Sequence, residues 1–381
     1  MESLPKSQWH GSLYASGSGN VPNGRERSRS RERAPWTMQR GGMAPAPDAP
    51  QYSIEACVGK GSYGFVYKAS HLQTGQPVAI KSVRHQEAGR EVNVLRMLRG
   101  SPNIVSLMGT FAGNEQRPEE RTMNIVLEYL GDNLNRIIKH HKHQSRYVEM
   151  KFVRLFMYQI FRGLGSLARC GIVHRDLKPA NLLVDPHTYK LKICDFGTAL
   201  TQDASEAPQL YVCSRFYRAP ELILSATLYS SAVDLWSAGC VLAEMLIGVP
   251  IFAGKDGTDQ LLCIVEVLGS PSPAELHALN PMYDAAVCFQ PRVEPLSWPR
   301  VLGTRTPVEV VELTGQLLRY EPRKRPEPME AMASVFFDRL NQNHFNWQDP
   351  TFLMLTAEEI QGCHPSIKDR LLRRFSLEYG R

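Results

Sequence analysis

HRDLKPANLL, residues His174–Leu183, sets an aspartate, a lysine and an asparagine at fixed offsets on one short loop. At that spacing Asp176 can accept a proton from a hydroxyl nucleophile, Lys178 can neutralise a phosphoryl group in transfer, and Asn181 can hold a magnesium ion. The competing reading is a basic turn closed by Pro179 between a helix and a strand, and it weakens with each further motif. Downstream, DFG (Asp195–Gly197) follows the strand-like LKIC, 14 residues after Asn181. An acid at a strand end followed by glycine suits a second magnesium ligand, because this ion takes few protein oxygens and leaves the rest to phosphates and water. Cys194, just before it, is expected to line the same pocket.

Upstream, Gly59, Gly61 and Gly64 lie in GKGSYGFV between two strand-like runs. Glycines there let backbone N–H groups approach phosphates. The run lacks the GK[ST] ending of a P-loop, and no parallel βαβ unit follows, so the NTPase and dinucleotide-binding readings fail. VAIK (Val78–Lys81) comes next. A lysine ending an apolar strand is costly unless paired; Glu91, expected to open the following helix, is the partner, with Glu87 as a rival. APE (Ala219–Glu221) and Arg325 predict a buried structural ion pair, and Asp234 of DLWSAGC is expected to hold the loop backbone.

The 381 residues are 43% hydrophobic and 22% charged, a globular balance with room for two lobes. Net charge is +6, half of it from residues 1–50, where seven Lys/Arg face four Asp/Glu. The body is thus only mildly basic, and nucleic-acid binding is not expected. Eight scattered cysteines with no C-x-x-C pair argue against a zinc site or a disulfide framework. Without a signal-peptide core or a membrane-length apolar run, the chain is expected to be soluble and cytoplasmic or nuclear, with no membrane partner.

Residues 1–50 read as a disordered Arg/Ser/Gly/Pro-rich tail. Its RERSRSRER (Arg25–Arg33) is compatible with a nuclear address, a phosphorylation site at Ser30, or simple solubilisation. Short β-type runs begin at Tyr52, with two more around Ile104–Phe111 and Met123–Tyr129; helical periodicity dominates from Asp132, with long stretches at 148–169, 231–248 and 258–268. The expected architecture is α+β and bilobal: a β-rich N-lobe (52–127) with one regulatory helix, a hinge (128–132) and a mainly helical C-lobe (133–337). A C-terminal extension (338–381) is expected to pack on it.

From about Tyr52 to Leu340 the chain resembles the eukaryotic protein kinases. Within them it is most similar to the glycogen synthase kinase 3 (shaggy-type) family, through FMYQIFRGL (156–164), DFGTA, YVCSRFYRAPELIL (211–224), VDLWSAGCVLAEML (233–246) and GTDQLLCIVEVLGSPSPAEL (257–276). The resemblance implies a serine/threonine kinase using ATP and Mg²⁺ on protein substrates. Asp176 and Lys178 would be catalytic, and Asn181 and Asp195 metal ligands. The nucleotide would be held by Val58, Gly59, Gly61, Gly64, Val66, Ala79, Lys81, Glu91, Leu127, Glu128, Leu130, Leu183 and Cys194. Tyr211 would be phosphorylated and paired with Arg215 and Arg218, an unmodified tyrosine being the alternative. Arg90 and Arg175 would hold a priming phosphate on the substrate, but Leu200 stands where the family carries a third cation, which predicts a weakened priming preference. A scaffold protein would bind the Thr258–Gly269 helix and the Tyr283 loop, although Ala286 replaces an expected aromatic; otherwise that helix only covers the core. A catalytically dead scaffold would lack a lysine, aspartate or glycine of these motifs, and none is lost. The tail leaves two further readings, a nucleic-acid-binding arm and an autoinhibitory segment controlled at Ser30.

Overall fold

In the computed structural model the described residues are 51–61, 64–113, 122–201, 213–282, 291–340 and 353–376. Strands β1 (Tyr52–Gly61), β2 (Gly64–His71) and β3 (Pro77–Arg84) come first. Helix α1 (His85–Met97) and strands β4 (Leu107–Ala112) and β5 (Thr122–Glu128) complete the N-lobe. The sheet is antiparallel throughout, in the order β1-β2-β3-β5-β4. Its register sets Val66 opposite Lys81 and Ala79 opposite Leu127. Gly64 has φ +151°, and a Cβ there would lie 1.9 Å from the Ser82 carbonyl oxygen, so only glycine lets β2 close onto β3 at this point.

Helix α1 differs from expectation in its start. It begins directly at the end of β3, with Arg84 as an N-cap that makes no side-chain capping bond, and Glu91 is its seventh residue rather than its first. Valine and leucine at 92, 94 and 95 bury one face, while the stretch before them is polar. Ile104 is also not part of a sheet strand. It bridges in parallel to Ile193, and Val105 N–H donates to the Ile193 carbonyl, which pins the segment between α1 and β4 to the C-lobe.

After Glu128 come β6 (Asp132–Asn133), α2 (Leu134–His143), α3 (Met150–Arg169) and β7 (Ile172–Val173), then β8 (Leu182–Val184), β9 (Leu191–Ile193) and β10 (Leu200–Thr201). These short strands form two small sheets, β6-β8-β9 and β10-β7, which carry the loops between them. The helical remainder comprises α4 (Pro220–Ile223), α5 (Ala232–Ile247), α6 (Gly257–Leu268), α7 (Pro273–Leu279), α8 (Trp298–Leu302), α9 (Val308–Leu317), α10 (Pro328–Met332) and α11 (Pro365–Ser376). This is the expected bilobal α+β arrangement. Among the described residues no helix is long and apolar enough to cross a membrane.

The C-lobe core is centred on α3 and α5, in which fifteen and thirteen consecutive residues are buried. Gly239 on α5 admits α9: a Cβ there would meet the Leu317 Cβ at 2.9 Å and Leu318 Cδ2 at 2.9 Å. Overpacking at such a seam costs about 1–3 kcal/mol, so Gly239→Ala is expected to lower the melting temperature by several degrees in differential scanning fluorimetry. An unchanged transition would mean that α9 shifts freely.

Residues 353–376 lie against α3 and α10. Arg162, buried on α3, clamps Glu359 with Nε to Oε1 at 2.5 Å and Nη2 to Oε2 at 2.8 Å. It also donates to the Met354 carbonyl, while Tyr158 Oη donates to that of Leu353. Arg374 of α11 reaches the Met332 and Ser334 carbonyls and stacks over Phe337.

Candidate active site

The loop from His174 to Asn181 is held from beneath by α5. The Asp234 carboxylate accepts from the backbone N–H of His174 (2.7 Å) and of Arg175 (2.9 Å), the role expected of it. Asp234 is fully buried, which pushes its carboxyl up; His174 and Arg175, with their two N–H groups, oppose this. Arg175 takes φ +66°, a left-handed conformation that this anchoring sustains. The His174 ring ties the loop to the DFG strand: Nε2 donates to the Cys194 carbonyl (3.0 Å) and Nδ1 accepts from Asp176 N–H (3.2 Å). It also meets Phe196 edge-on.

Asp176 therefore sits in a fixed cradle. Its Oδ2 accepts from Lys178 Nζ (2.7 Å) and Asn181 Nδ2 (3.1 Å), and its Oδ1 from Ser214 N–H (2.8 Å). Lys178 also donates to Ser214 Oγ (2.8 Å), so the loop and the segment entering α4 meet at one lysine. That bond joins residues 36 positions apart, and no local sequence pattern announces it.

Lys81 is buried and donates to both Glu91 Oε2 (2.7 Å) and Asp195 Oδ1 (2.6 Å). Glu87, the rival, faces Arg84 instead. Burial works against the Lys81 ammonium, but the two carboxylates outweigh it and hold its pKa above the ordinary lysine value. Burial pushes the Glu91 carboxyl up against the pull of Lys81. Asp195, half-buried, is held below the usual carboxylate range by Lys81 against the opposing effect of desolvation. Asp195 also adopts φ +67°, which aims it back at Lys81.

The other residues expected to hold the nucleotide are spread over β1, β2, β3, β5, β8, the segment after β5 and the residue before DFG. Val66, Ala79, Leu183 and Cys194 are half-buried and Leu127 is buried, while Val58 is 38% exposed. Gly59 and Gly61 lie at the end of β1, and Leu130 is half-buried just after β5. Glu128 accepts from Ser106 N–H (2.6 Å) and Lys192 Nζ (2.5 Å), a contact that no local sequence pattern announces. Desolvation and the neighbouring Asp195 push the Cys194 thiol up, which disfavours its thiolate.

The donors available suit magnesium. Asn181 spends its Nδ2 on Asp176 and keeps Oδ1 as an acceptor; Asp195 spends Oδ1 on Lys81 and keeps Oδ2. Cys194 N–H donates to the Asn181 carbonyl (3.0 Å), which keeps the two ligand-bearing segments side by side. Two hard oxygens from separate loops fit an ion completed by nucleotide phosphates and water. No cluster of three or more His, Cys, Asp or Glu able to cage a metal occurs among the described residues.

A comparison with known protein families matches the protein kinase domain over residues 52–337. The chain belongs to the protein kinase family. It is thus a phosphotransferase acting on proteins, and membership implies use of ATP, usually with Mg²⁺.

The arginines, the tyrosine and the helix that the resemblance singles out in this kinase are placed as follows. Arg175 is buried and engaged by the Thr198 carbonyl (Nε, 2.6 Å) and the Tyr229 hydroxyl (Nη1, 2.8 Å). Arg90 is half-buried on α1. Arg215 donates to the Gly254 and Lys255 carbonyls, and Arg218 to that of Cys213. Tyr211 lies outside the described residues, as do Tyr283 and Ala286. On α6, the helix named for a scaffold protein, Leu261 is buried in the core and Leu262 is half-buried.

Proposed function

We propose that this protein is a serine/threonine kinase of the glycogen synthase kinase 3 type with a weakened requirement for a primed substrate. The observation that carries the acceptor class is the Asp176–Lys178–Ser214 network, in which Lys178 reaches both the base and the segment on which a substrate would lie. Asp176 orients the acceptor hydroxyl and takes its proton at a carboxylate oxygen. Lys178 stabilises charge developing on the transferred group. Lys81, fixed by Glu91, would hold the nucleotide phosphates, and Asn181 and Asp195 would hold magnesium, which would neutralise charge on those phosphates. Mg-ATP would supply the electrophilic γ-phosphoryl group, whose transfer to the hydroxyl oxygen breaks the bond to the β-phosphate oxygen and releases ADP. Val58, Val66, Ala79, Leu127, Leu183 and Cys194 enclose the base, and the Glu128 and Leu130 backbone groups face it.

Two features support a weakened priming preference. Leu200 offers no charge, and the Arg175 guanidinium is already engaged by Thr198 and Tyr229. One lost cation–phosphate contact costs about 1.5–3 kcal/mol, or roughly ten- to a hundredfold in affinity. On a pair of serine peptides differing only in a phosphoserine four residues after the target, the kcat/KM ratio is expected to be below about tenfold. A ratio near a hundredfold or more would show that Arg90 and Arg175 suffice. Phosphoamino-acid analysis of the product tests the acceptor class, and phosphotyrosine alone would refute it.

A further inference from the structure

Helix α2 buries Leu134 and Ile138 and packs against the Pro179–Asn181 turn of the catalytic loop. Its outer face is a stripe of Arg136, Lys139, His140 and His143, at helical i, i+3, i+4, i+7 spacing and all exposed. Exposed Lys142 adds to it, its stem lying over Gly248. The stripe continues beyond the helix. Ser145 takes φ +54°, and Arg146 N–H donates back to the His141 carbonyl, so the turn holds exposed Arg146 and Tyr147 beside the last helical turn. Tyr147 is 64% exposed, a large aromatic side chain at the end of the cationic stripe.

Little acid opposes these charges among the described residues. Asp132 lies 3.9 Å from Arg136, Glu149 pairs with Lys151, and Glu244, which feels Lys139 and Lys142, is largely buried and bonded by Tyr217. Compensation of the helix dipole accounts for cations in the last turn. It does not account for Arg136 in the first turn, or for Arg146 and an exposed tyrosine past the end. We propose that this face is a docking surface for an acidic segment of the protein substrate, placed beside the catalytic loop so that docking raises the local concentration of the acceptor. The ten-residue helix is about 15 Å long, a span that roughly five or six residues of extended chain cover. The occupant is therefore a run of about that many Asp or Glu residues, with Tyr147 packing against an apolar neighbour. This deepens the kinase reading, on which it rests.

The test uses the full chain and two fluorescent peptides with the same serine acceptor, linked to a tract of about six glutamates or six glutamines. Binding is read by anisotropy without nucleotide, so it is independent of catalysis; kcat on the glutamine peptide reports separately on the kinase reading. The glutamate peptide is expected to bind about tenfold tighter at low salt, and to lose most of that advantage by about 300 mM salt. The triple variant Lys139→Gln, Lys142→Gln, Arg146→Gln is expected to abolish the difference while leaving kcat on the glutamine peptide unchanged. Equal binding of the two peptides overturns the proposal, as does a preference that survives in the variant. Variant-sensitive binding to phosphatidylserine vesicles or to single-stranded RNA, with none to the glutamate peptide, also overturns it and assigns the face to that partner.

Discussion

Replacing Asp176 with asparagine is expected to lower kcat on a serine peptide by about a hundred- to ten-thousandfold, with little change in KM. The side chain is held by three donors, Lys178 Nζ, Asn181 Nδ2 and Ser214 N–H, so its position depends on the surrounding frame. An asparagine fits the same volume but removes the proton acceptor and turns an N–H₂ toward one of those donors. The main loss is therefore in the chemical step. On the proposed reading the nucleotide would be held through Lys81, which bonds Glu91 and Asp195 rather than Asp176, so nucleotide affinity measured by calorimetry is expected to stay within a fewfold. Activity within fivefold of the parent would remove Asp176 from the role of base.

The largest expected loss of stability comes from Arg325→Met. Arg325 is fully buried, donates to Glu221 Oε1 (2.6 Å) and Oε2 (2.8 Å), reaches the Ala232, Arg319 and Tyr320 carbonyls, and stacks over Trp236. Removing it strands the Glu221 carboxylate, itself buried, at a cost of about 3–5 kcal/mol. For a domain of this size that amounts to a fall of roughly 8–15 °C in melting temperature. The double variant with Glu221→Gln is expected to recover part of the loss, because no uncompensated charge remains. If the single and double variants melt together, the charge pair is not the source of the effect.

What the sequence revealed of this site depended on how local each interaction is. Asp176, Lys178 and Asn181 lie within six residues, and their mutual bonds follow from the loop alone. Lys81 announced a partner because a lysine ending an apolar strand needs one, and Glu91 has the buried helix face behind it. That helix hid its start, because it leaves β3 without a capping side chain or a loop to mark the boundary. The sharing of Lys81 with Asp195 went unseen, since it depends on the left-handed backbone of Asp195. Tyr229 on Arg175 and Lys192 on Glu128 were likewise invisible, because each joins residues more than fifty positions apart with no motif at one end. Arg175 shows the same limit: residue identity gave its charge but not the neighbours that engage it.

The clamp of Arg162 on Glu359 separates two meanings of a domain boundary. By family pattern the unit closes at residue 337, and every catalytic motif precedes that point. By energy it does not close there. A chain ending at 340 would keep the whole site and still leave the Arg162 guanidinium, deep in the central helix of the C-lobe, without its carboxylate, with the Tyr158 hydroxyl losing its acceptor. Selection acting on residues 353–376 would thus be felt as selection for a competent enzyme, although every catalytic motif lies before them. Any recombination or truncation that respects the motif boundary would discard part of the scaffold on which the catalytic loop is mounted.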